Sequence, residues 1–213
     1  FGGAGLETLD LAVVAETMGY HAAPGPFLGH ALAIEAIVRG GSDAQKKKWL
    51  PALASGECIG AVSMADSEGG WTHNQWQIEP GEKISGEQAF ATGGDQADLY
   101  VVGLAGGRLG VVEAEASGVS RETIDGADLT RRLVALQFEQ APCELLSNDP
   151  GVARRLHDVG CVLLAADAFG GAAPDDLEVS VADNAGTLEI TVTDPRSGST
   201  IPTQPSPAVP GEE

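Results

Sequence analysis

The stretch GSDAQKKKWLPALASGE, residues 41–57, decides how this chain is divided. Ser42 and Gln45 stand in the Ser-x-x-Gln spacing of a capping box, in which each side chain bonds the backbone N–H of the other residue. A helix is therefore predicted to begin at Ser42. Pro51 lacks a backbone N–H and disfavours the helical conformation of the residue before it, so the helix is expected to end or bend there. Gly56 would close one last turn, PALASG.

The pattern changes directly after this helix. From Cys58 onward, short runs of Val, Ile and Leu separated by Gly, Asp, Asn and Pro replace the helical spacing, which is typical of strands. Residues 1–57 are thus predicted to form a helical domain and residues 58–149 a β-domain. Residues 41–57 would lead the chain from one domain into the other.

Two helices are predicted before this stretch. The first would run from about Leu6 to Met18, with Gly19 ending it. The second, FLGHALAIEAIVRG, is apolar on nearly all sides, so it would be buried within a bundle, and it would end at Gly40. Because Phe1 is not a start methionine and such helices need partners to cover them, the chain is expected to be truncated at its N-terminus.

The middle region is predicted to contain about six or seven strands without intervening helices. We expect NQWQIE and EKISGEQAFAT to pair across a Pro-Gly turn, and LYVVGLA to pair with RLGVVEAE through Gly106 and Gly107. Such a region indicates an antiparallel barrel or sandwich. The predicted strands are CIGAVSMAD (58–66), NQWQIE (74–79), EKISGEQAFAT (82–92), LYVVGLA (99–105), RLGVVEAE (108–115), GVSRETI (118–124) and RRLVALQFEQ (131–140).

Helical periodicity returns near Pro150 and ends at Gly170 and Gly171, so residues 150–172 would begin a second helical domain. One apolar stripe is predicted on this helix, formed by Val152, Leu156, Val159, Leu163 and Ala166. Residues 173–213 form an atypical acidic tail, in which LEVSVADNAGTLEITV alternates like a hairpin and the Pro-rich end, residues 194–213, is expected to be disordered. The predicted fold class is α+β.

Composition narrows the possible functions. Twelve basic against 31 acidic residues give a net charge of −19, which argues against nucleic-acid binding. There is no run of 18 apolar residues and no signal-peptide pattern, so no membrane span is expected and the predicted location is cytoplasmic. Cys58, Cys143 and Cys161 lack metal-ligand spacing and are predicted to be buried reduced thiols. The four histidines are also far apart, so no metal site is predicted.

Over residues 1 to about 172, several segments resemble those of the acyl-CoA dehydrogenase family, in the same order and with the same spacing. The words that carry the resemblance are FGGAGL, APGPFL, GSDAQKKKWLPALASGE, ISGEQAFATGGDQADLYVV, TRRLVALQFEQAPCELL and AADAFGGA. The resemblance implies FAD-dependent α,β-dehydrogenation of an acyl-CoA thioester in fatty-acid or steroid side-chain degradation. A glutamate removes the α-proton in that chemistry, and the β-hydrogen leaves as hydride to the flavin.

The resemblance also indicates which residues would bind the cofactor. In Phe90-Ala91-Thr92, the aromatic ring and the hydroxyl at alternate strand positions would approach one flavin together. In VSMADSEGGWT, Met64 and Ala65 would contact the flavin through their backbone groups. The alternative for both segments is that they are ordinary core strands.

The segment VSMADSEGGWT also differs from the family pattern. Ser63 and Asp66 would lie on the substrate side, with Asp66 in place of the family's glutamate. Ala65 replaces the hydroxyl that usually bonds the flavin. Trp71 or Thr72 stands where a serine is expected.

No catalytic residue is assigned. After Gly171 the family continues into a helical bundle that supplies the glutamate base, whereas this sequence predicts a hairpin. Three hypotheses follow: an incomplete acyl-CoA dehydrogenase, inactive alone; a non-catalytic subunit of a hetero-oligomeric dehydrogenase; or a CoA-binding or scaffold protein that has lost its flavin. The first two imply FAD, an acyl-CoA substrate and a homo- or hetero-oligomer.

Overall fold

The computed structural model describes residues 2, 3, 5, 7–65, 69–126, 128 and 131–172, together with the backbone of residues 178–184, 187–194 and 199–202. These residues fall into two compact units, Phe1–Gly171 and Ala172–Glu213. The helices are α1 (Thr8–Tyr20), α2 (Phe27–Gly40), α3 (Asp43–Ser55) and α4 (Pro150–Ala172). The strands are β1 (Gly60–Ser63), β2 (Lys83–Thr92), β3 (Leu99–Leu104), β4 (Arg108–Glu113), β5 (Val119–Ile124), β6 (Leu133–Pro142), β7 (Glu144–Leu145), β8 (Glu178–Asn184), β9 (Thr187–Asp194) and β10 (Ser199–Pro202).

The capping box predicted for α3 is confirmed. The Gln45 N–H donates to Ser42 Oγ at 3.3 Å, and the Ser42 N–H donates to Gln45 Oε1 at 2.9 Å. Of the two outcomes expected at Pro51, an end of the helix is wrong, because α3 continues through Pro51 as far as Ser55. The helix ends at Gly56, whose φ of 77° is in the left-handed region that glycine adopts without strain.

The predicted stop of α1 at Gly19 is also wrong, since α1 continues to Tyr20. Gly19 serves the packing of α1 against α4 instead. A Cβ at Gly19 would lie 2.0 Å from the carbonyl oxygen of Asp167, and a Cβ at Gly170 would lie 1.9 Å from that of Glu16. The two helices cross so closely that the contact is backbone to backbone at both positions.

Unit 1 contains two sheets that do not close on each other, so of the two predicted forms the structure has a sandwich rather than a barrel. The four-stranded sheet has the order β1-β3-β4-β7 and the three-stranded sheet the order β2-β6-β5. The hairpin of β3 and β4 through Gly106 and Gly107 is confirmed, and both glycines have φ near 70°. The expectation of purely antiparallel pairing is wrong for β1 and β3, which run parallel because β2 lies between them in sequence but in the other sheet.

The hairpin predicted for residues 74–92 is wrong. Residues 74–79 form no strand, and β2 pairs with β6 instead. Trp76 and Ile78 alternate with polar residues for a reason other than strand pairing. Each side chain is buried against a glycine, Trp76 against one in β3 and Ile78 against one in β2. A Cβ at Gly103 would meet the Trp76 ring at 2.6 Å, and one at Gly86 would meet Ile78 at 2.8 Å.

Two apolar cores hold unit 1 together. The first joins the helices to one face of the four-stranded sheet and includes Ile37, Leu53, Val101 and Leu163. The second fills the space between the two sheets and includes Tyr100, Val102 and Phe138. The apolar stripe of α4 is confirmed, since Val152, Leu156, Val159 and Leu163 are buried and Ala166 packs against the first core.

The first core thus contains side chains from both the helices and the four-stranded sheet. The domain bounds predicted from the sequence, 1–57, 58–149, 150–172 and 173–213, remain predictions. Among the helices that the structure describes, none combines the length and apolar character of a membrane span.

In unit 2 the backbone of β8 pairs antiparallel with β9, which confirms the predicted hairpin. The expectation of disorder throughout residues 194–213 is wrong at Asp194, the last residue of β9, and at Ser199–Pro202, because β10 pairs with β9 there.

Candidate functional site

The segment predicted to contact a flavin forms the end of β2. The pairing of β2 with β6 shifts register between Gln88 and Ala91, and Phe90 has a φ of 61°, which is unusual for a bulky residue. The regular alternation on which the prediction rested is therefore interrupted within the segment. Phe90 is 38% exposed and Ala91 is fully buried in the core between the sheets.

Phe90 is stacked on Trp71. The two ring centroids lie 5.3 Å apart with 20° between the ring planes, and Trp71 itself is 56% exposed. Two large exposed aromatic rings thus cover each other at the surface. A planar ligand could reach this face of Phe90 only by displacing Trp71.

Thr92 lies at a different place from Phe90, on the wall of a cavity of about 250 Å³. Among the residues that the structure describes, no hydrogen-bond partner of its hydroxyl is found. A Cβ at Gly29 would lie 2.5 Å from the Thr92 carbonyl oxygen, so α2 rests directly on this end of β2. The small residue on α2 allows the helix to hold Thr92 at the cavity.

The cavity is bounded by three helices and the end of β2. Its wall is largely apolar, with charged groups on the side of Arg131. The lining residues are Ala15, Met18, Gly19, Ala22, Ala23, Gly25, Phe27, Leu28, Thr92, Asp128, Arg131, Leu163, Asp167, Ala168 and Gly171. An apolar cleft with a few convergent polar groups is the common form of a small-molecule site.

The charged groups of the cavity form a small network. The guanidinium of Arg131, on the segment before β6, forms an ion pair with Asp167 of α4. Arg131 Nε also lies 3.7 Å from Asp128 Oδ2. Each carboxylate in the described lining therefore has a cationic neighbour.

The other predicted site residues lie around the end of β1. Met64 is half-buried and packs against the first core, and the carbonyl of Ala65 accepts the Ala89 N–H at 2.9 Å. Ser63 is fully buried, and its Oγ has no hydrogen-bond partner within the described part of the chain. A ligand contact from the Ser63 hydroxyl would thus require β1 to move. Asp66 lies outside the described residues.

The structure brings Thr92 together with residues that the sequence did not single out, chiefly Arg131 and Asp167. Asp167 had a signal, because it is an acid within the otherwise apolar segment LLAADAF of α4. No feature of the sequence singles out Arg131 from its neighbour Arg132. Only the fold shows which of the two adjacent arginines faces the cavity.

Histidines and cysteines contribute no metal centre among the described residues. His30 bonds Leu53 and Gly60 between the helices and β1. The thiols are free, and the prediction that they are buried is right for Cys143 but wrong for the half-buried Cys58 and the exposed Cys161.

The comparison with known families and proteins agrees with this fold. The family model described as acyl-CoA dehydrogenase, N-terminal domain, matches residues 1–57. The acyl-CoA dehydrogenase IpdE2 of Mycobacterium tuberculosis is 33% identical over 172 residues, which cover 80% of this chain and 43% of that protein. The mitochondrial isovaleryl-CoA dehydrogenase of Bos taurus is 36% identical over 110 residues, which cover 48% of this chain and 26% of that protein.

Solved structures give the same result. A variant of the Tcur3481-Tcur3483 steroid ACAD matches with a TM-score of 0.71 and 27% identity, covering 79% of this chain and 48% of that chain. An acyl-CoA dehydrogenase from Bacillus anthracis complexed with FAD matches in fold, with a TM-score of 0.66 and 24% identity over 80% of this chain and 34% of that chain.

This chain spans less than half the length of these relatives. The sequence match to IpdE2 and the fold match to the steroid ACAD nevertheless each cover about four fifths of this chain. The chain belongs to the acyl-CoA dehydrogenase family.

Proposed function

We propose that this chain is the helical and β part of an FAD-dependent acyl-CoA dehydrogenase, which introduces an α,β double bond into an acyl-CoA thioester. One observation carries the proposal. Thr92, chosen from the sequence as a flavin contact, lies on the wall of the apolar cavity between α1, α2 and α4. On this proposal, the Thr92 hydroxyl would contact the cofactor and the cavity would take the acyl group, so the two would adjoin each other.

The residues at the cavity fit an FAD in part. The Thr92 hydroxyl is without a described partner, so it could bond the polar edge of the ring system. Phe90 fits less well, because Trp71 already covers one face of its ring. When bound, FAD would supply the hydride acceptor that this dehydrogenation needs.

The chain's own residues would hold and shield the acyl group. Phe27, Leu28 and Leu163 give the cavity apolar walls, which favour an acyl chain and exclude water. The described carboxylates at the cavity, Asp128 and Asp167, are both beside Arg131, which holds them as ion-pair partners. We therefore propose that the base which removes the α-proton is supplied by residues outside the described part of the chain or by a partner subunit.

The isolated 213-residue chain is accordingly expected to be inactive with acyl-CoA and an electron acceptor. Turnover above roughly 1 per second by partner-free protein would contradict this part of the proposal, since that is the lower range of ordinary enzymes.

A second candidate is a non-catalytic subunit of a hetero-oligomeric dehydrogenase. Two observations favour it: Ala65 has no hydroxyl to offer, and Trp71 covers Phe90. The name of the matched steroid ACAD, Tcur3481-Tcur3483, joins two designations, which also favours an enzyme of two chains. Because that protein is named a steroid ACAD, a steroid-derived acyl group is a substrate to test beside fatty acyl groups. The third candidate is a CoA-binding scaffold without flavin. For all three, a cytoplasmic location remains a prediction from the sequence.

Titration of flavin-free protein with FAD, followed by flavin fluorescence, tests the proposal. Thr92→Val keeps the shape of the side chain and removes one hydrogen bond, so FAD should bind about five- to tenfold more weakly. Thr123→Val, at an exposed position of β5, is the matched control and should bind like wild type. Equal affinity of Thr92→Val and wild type would remove Thr92 from the site. No FAD binding by wild type would favour the scaffold.

A copurification experiment separates the first two candidates. If wild type binds FAD and a second dehydrogenase chain copurifies with it from the native host, the hetero-oligomer is supported. Recovery of the flavin-loaded protein without such a chain would support a part of a single dehydrogenase instead.

A further inference from the structure

The cavity that contains Thr92 has an ion pair on its wall that apolar acyl chains would not need. Arg131 of the segment before β6 pairs with Asp167 of α4, and Asp128 lies 3.7 Å from the same guanidinium. Arg131 and Asp167 are partly shielded, with 32% and 25% of their side chains exposed. Charges in such a setting retain strong electrostatic interactions with a ligand, since solvent screens them less.

The remaining described lining is suited to hydrocarbon. Ala15, Met18, Phe27, Leu28 and Leu163 give it apolar side chains, and Arg131 with its two carboxylates contributes the charge. A purely aliphatic acyl group in this space would desolvate the ion pair without bonding it, which costs free energy. The lining is thus mixed rather than uniformly apolar.

The sign of the charge selects among polar ligand groups. In the described lining, one cation and two carboxylates sum to −1, so a further carboxylate on the ligand would be repelled by Asp128 and Asp167. A neutral oxygen can accept a hydrogen bond from a guanidinium N–H that its carboxylate partners do not use, since arginine has several such donors. The ion pair with Asp167 can then persist while the ligand is bound.

We propose that this cavity selects acyl groups that bear a neutral carbonyl or hydroxyl oxygen in addition to the thioester, and that Arg131, held by Asp167, is the residue that recognises this oxygen. The inference rests on the proposed function, because it takes the cavity as the acyl site. Arg131 is then a specificity-determining residue, and Asp167 positions it.

Calorimetric titration with two CoA thioesters of equal chain length tests the inference, with octanoyl-CoA as the apolar probe and 7-oxooctanoyl-CoA as the oxygen-bearing probe. Wild type should bind the oxo thioester more tightly by on the order of tenfold, which is the usual size of a hydrogen bond to a charged group. The double variant Arg131→Leu/Asp167→Leu removes both partners, so no unpaired charge is left behind. It should still bind octanoyl-CoA and should lose the preference.

The adjacent pair provides a matched control. Arg132 Nη1 lies 3.3 Å from Asp95 Oδ2, and neither residue lines the cavity. Arg132→Leu/Asp95→Leu changes charge and composition equally and should keep the wild-type preference.

The outcomes separate the inference from the proposed function. Equal affinity of wild type for the two thioesters, or a preference that survives in the Arg131→Leu/Asp167→Leu variant, would overturn the inference and leave the acyl site in place. Failure of wild type to bind either thioester would overturn the proposed function and the inference with it.

Discussion

His30 Nδ1 accepts a hydrogen bond from the backbone N–H of Gly60 at 3.1 Å, so this side chain of α2 is fixed to the first residue of β1. The other ring nitrogen, Nε2, lies 3.1 Å from the carbonyl oxygen of Leu53 in α3. The neutral ring with its proton on Nε2 satisfies both bonds. A protonated ring would place an N–H at Nδ1 against the N–H of Gly60, so that two donors face each other and that bond is lost.

We predict that His30 makes stability depend on pH. Burial lowers the pKa of His30 from its ordinary value of 6.5, and the bond to Leu53 offsets only part of this. The unfolded chain therefore takes up the proton first as pH falls. The contribution of His30 is complete above pH 6.5 and is lost between that value and the lower pKa of the folded state.

Urea unfolding of wild type and His30→Gln from pH 8 down to pH 5 measures this effect. The glutamine cannot titrate, so the stability difference in favour of wild type should shrink as pH falls below about 6.5. His157→Gln, at an exposed position of α4, controls for the loss of a histidine as such. Parallel pH curves for wild type and His30→Gln would show that His30 is not the titrating group.

The crossing of α1 and α4 predicts opposite effects at two adjacent glycines. A Cβ at Gly170 would lie 1.9 Å from the backbone oxygen of Glu16, which cannot yield without moving a helix, so Gly170→Ala should destabilise by roughly 1–3 kcal/mol. At Gly171 the nearest atom to an added Cβ is the Gly19 oxygen at 3.5 Å, an ordinary contact. Gly171→Ala should therefore be neutral or stabilising by up to ~1 kcal/mol, because alanine favours helix.

Thermal unfolding of the two variants beside wild type decides between these expectations. A Gly170→Ala variant as stable as Gly171→Ala would mean that the helices do not cross at the described distance.

Trp71 is predicted to compete with flavin for Phe90. An aromatic stack contributes about 0.5–1.5 kcal/mol, so a ligand that packs on this face of Phe90 must first offset that amount. Trp71→Ala should thus strengthen FAD binding by about two- to tenfold. Trp71→Phe retains a stacked ring and should resemble wild type. Weaker FAD binding by Trp71→Ala would reverse the assignment and make Trp71 part of the flavin site.

The thiols should react in the order of their exposure. Burial, with the Glu144 carboxylate as a smaller cause, raises the pKa of Cys143 to about 11, so at pH 8 only about one molecule in 1000 has the reactive thiolate. Cys161 is exposed on α4. A disulfide reagent added to folded protein at pH 8 should modify Cys161 first, Cys58 more slowly, and Cys143 only after unfolding.

Mass mapping of the modified peptides gives the order, and protein in denaturant supplies the total. Rapid modification of Cys143 in folded protein would show that the core between the sheets opens readily.

Local rules were sufficient where neighbours in sequence are partners in space. Ser42 and Gln45 start α3 through bonds to each other, and Gly106 and Gly107 join β3 to β4, so both features follow from the sequence. The apolar stripe of α4 is equally local, since the helical period alone places Leu156 and Leu163 on one face. The resemblance to the family is local in the same sense, because it depends on short continuous segments of the sequence.

The tertiary structure decided what depends on residues far apart in the chain. Trp76 and Ile78 alternate as in a strand, but they pack over Gly103 and Gly86 of other strands, and no local rule contains those partners. From the sequence alone, Gly19 predicts the end of a helix. The tertiary structure shows instead that α4 crosses α1 there, with the backbone of Asp167 against Gly19.

The candidate site shows the same division. The sequence by itself determined Thr92 as a candidate and determined the family. Only the fold decided that Thr92 shares a cavity with Arg131 and Asp167, and that Phe90 faces Trp71 instead. Local bonding and periodicity are properties of a few consecutive residues, whereas a cavity is formed by side chains from distant segments, whose positions depend on how the whole core packs.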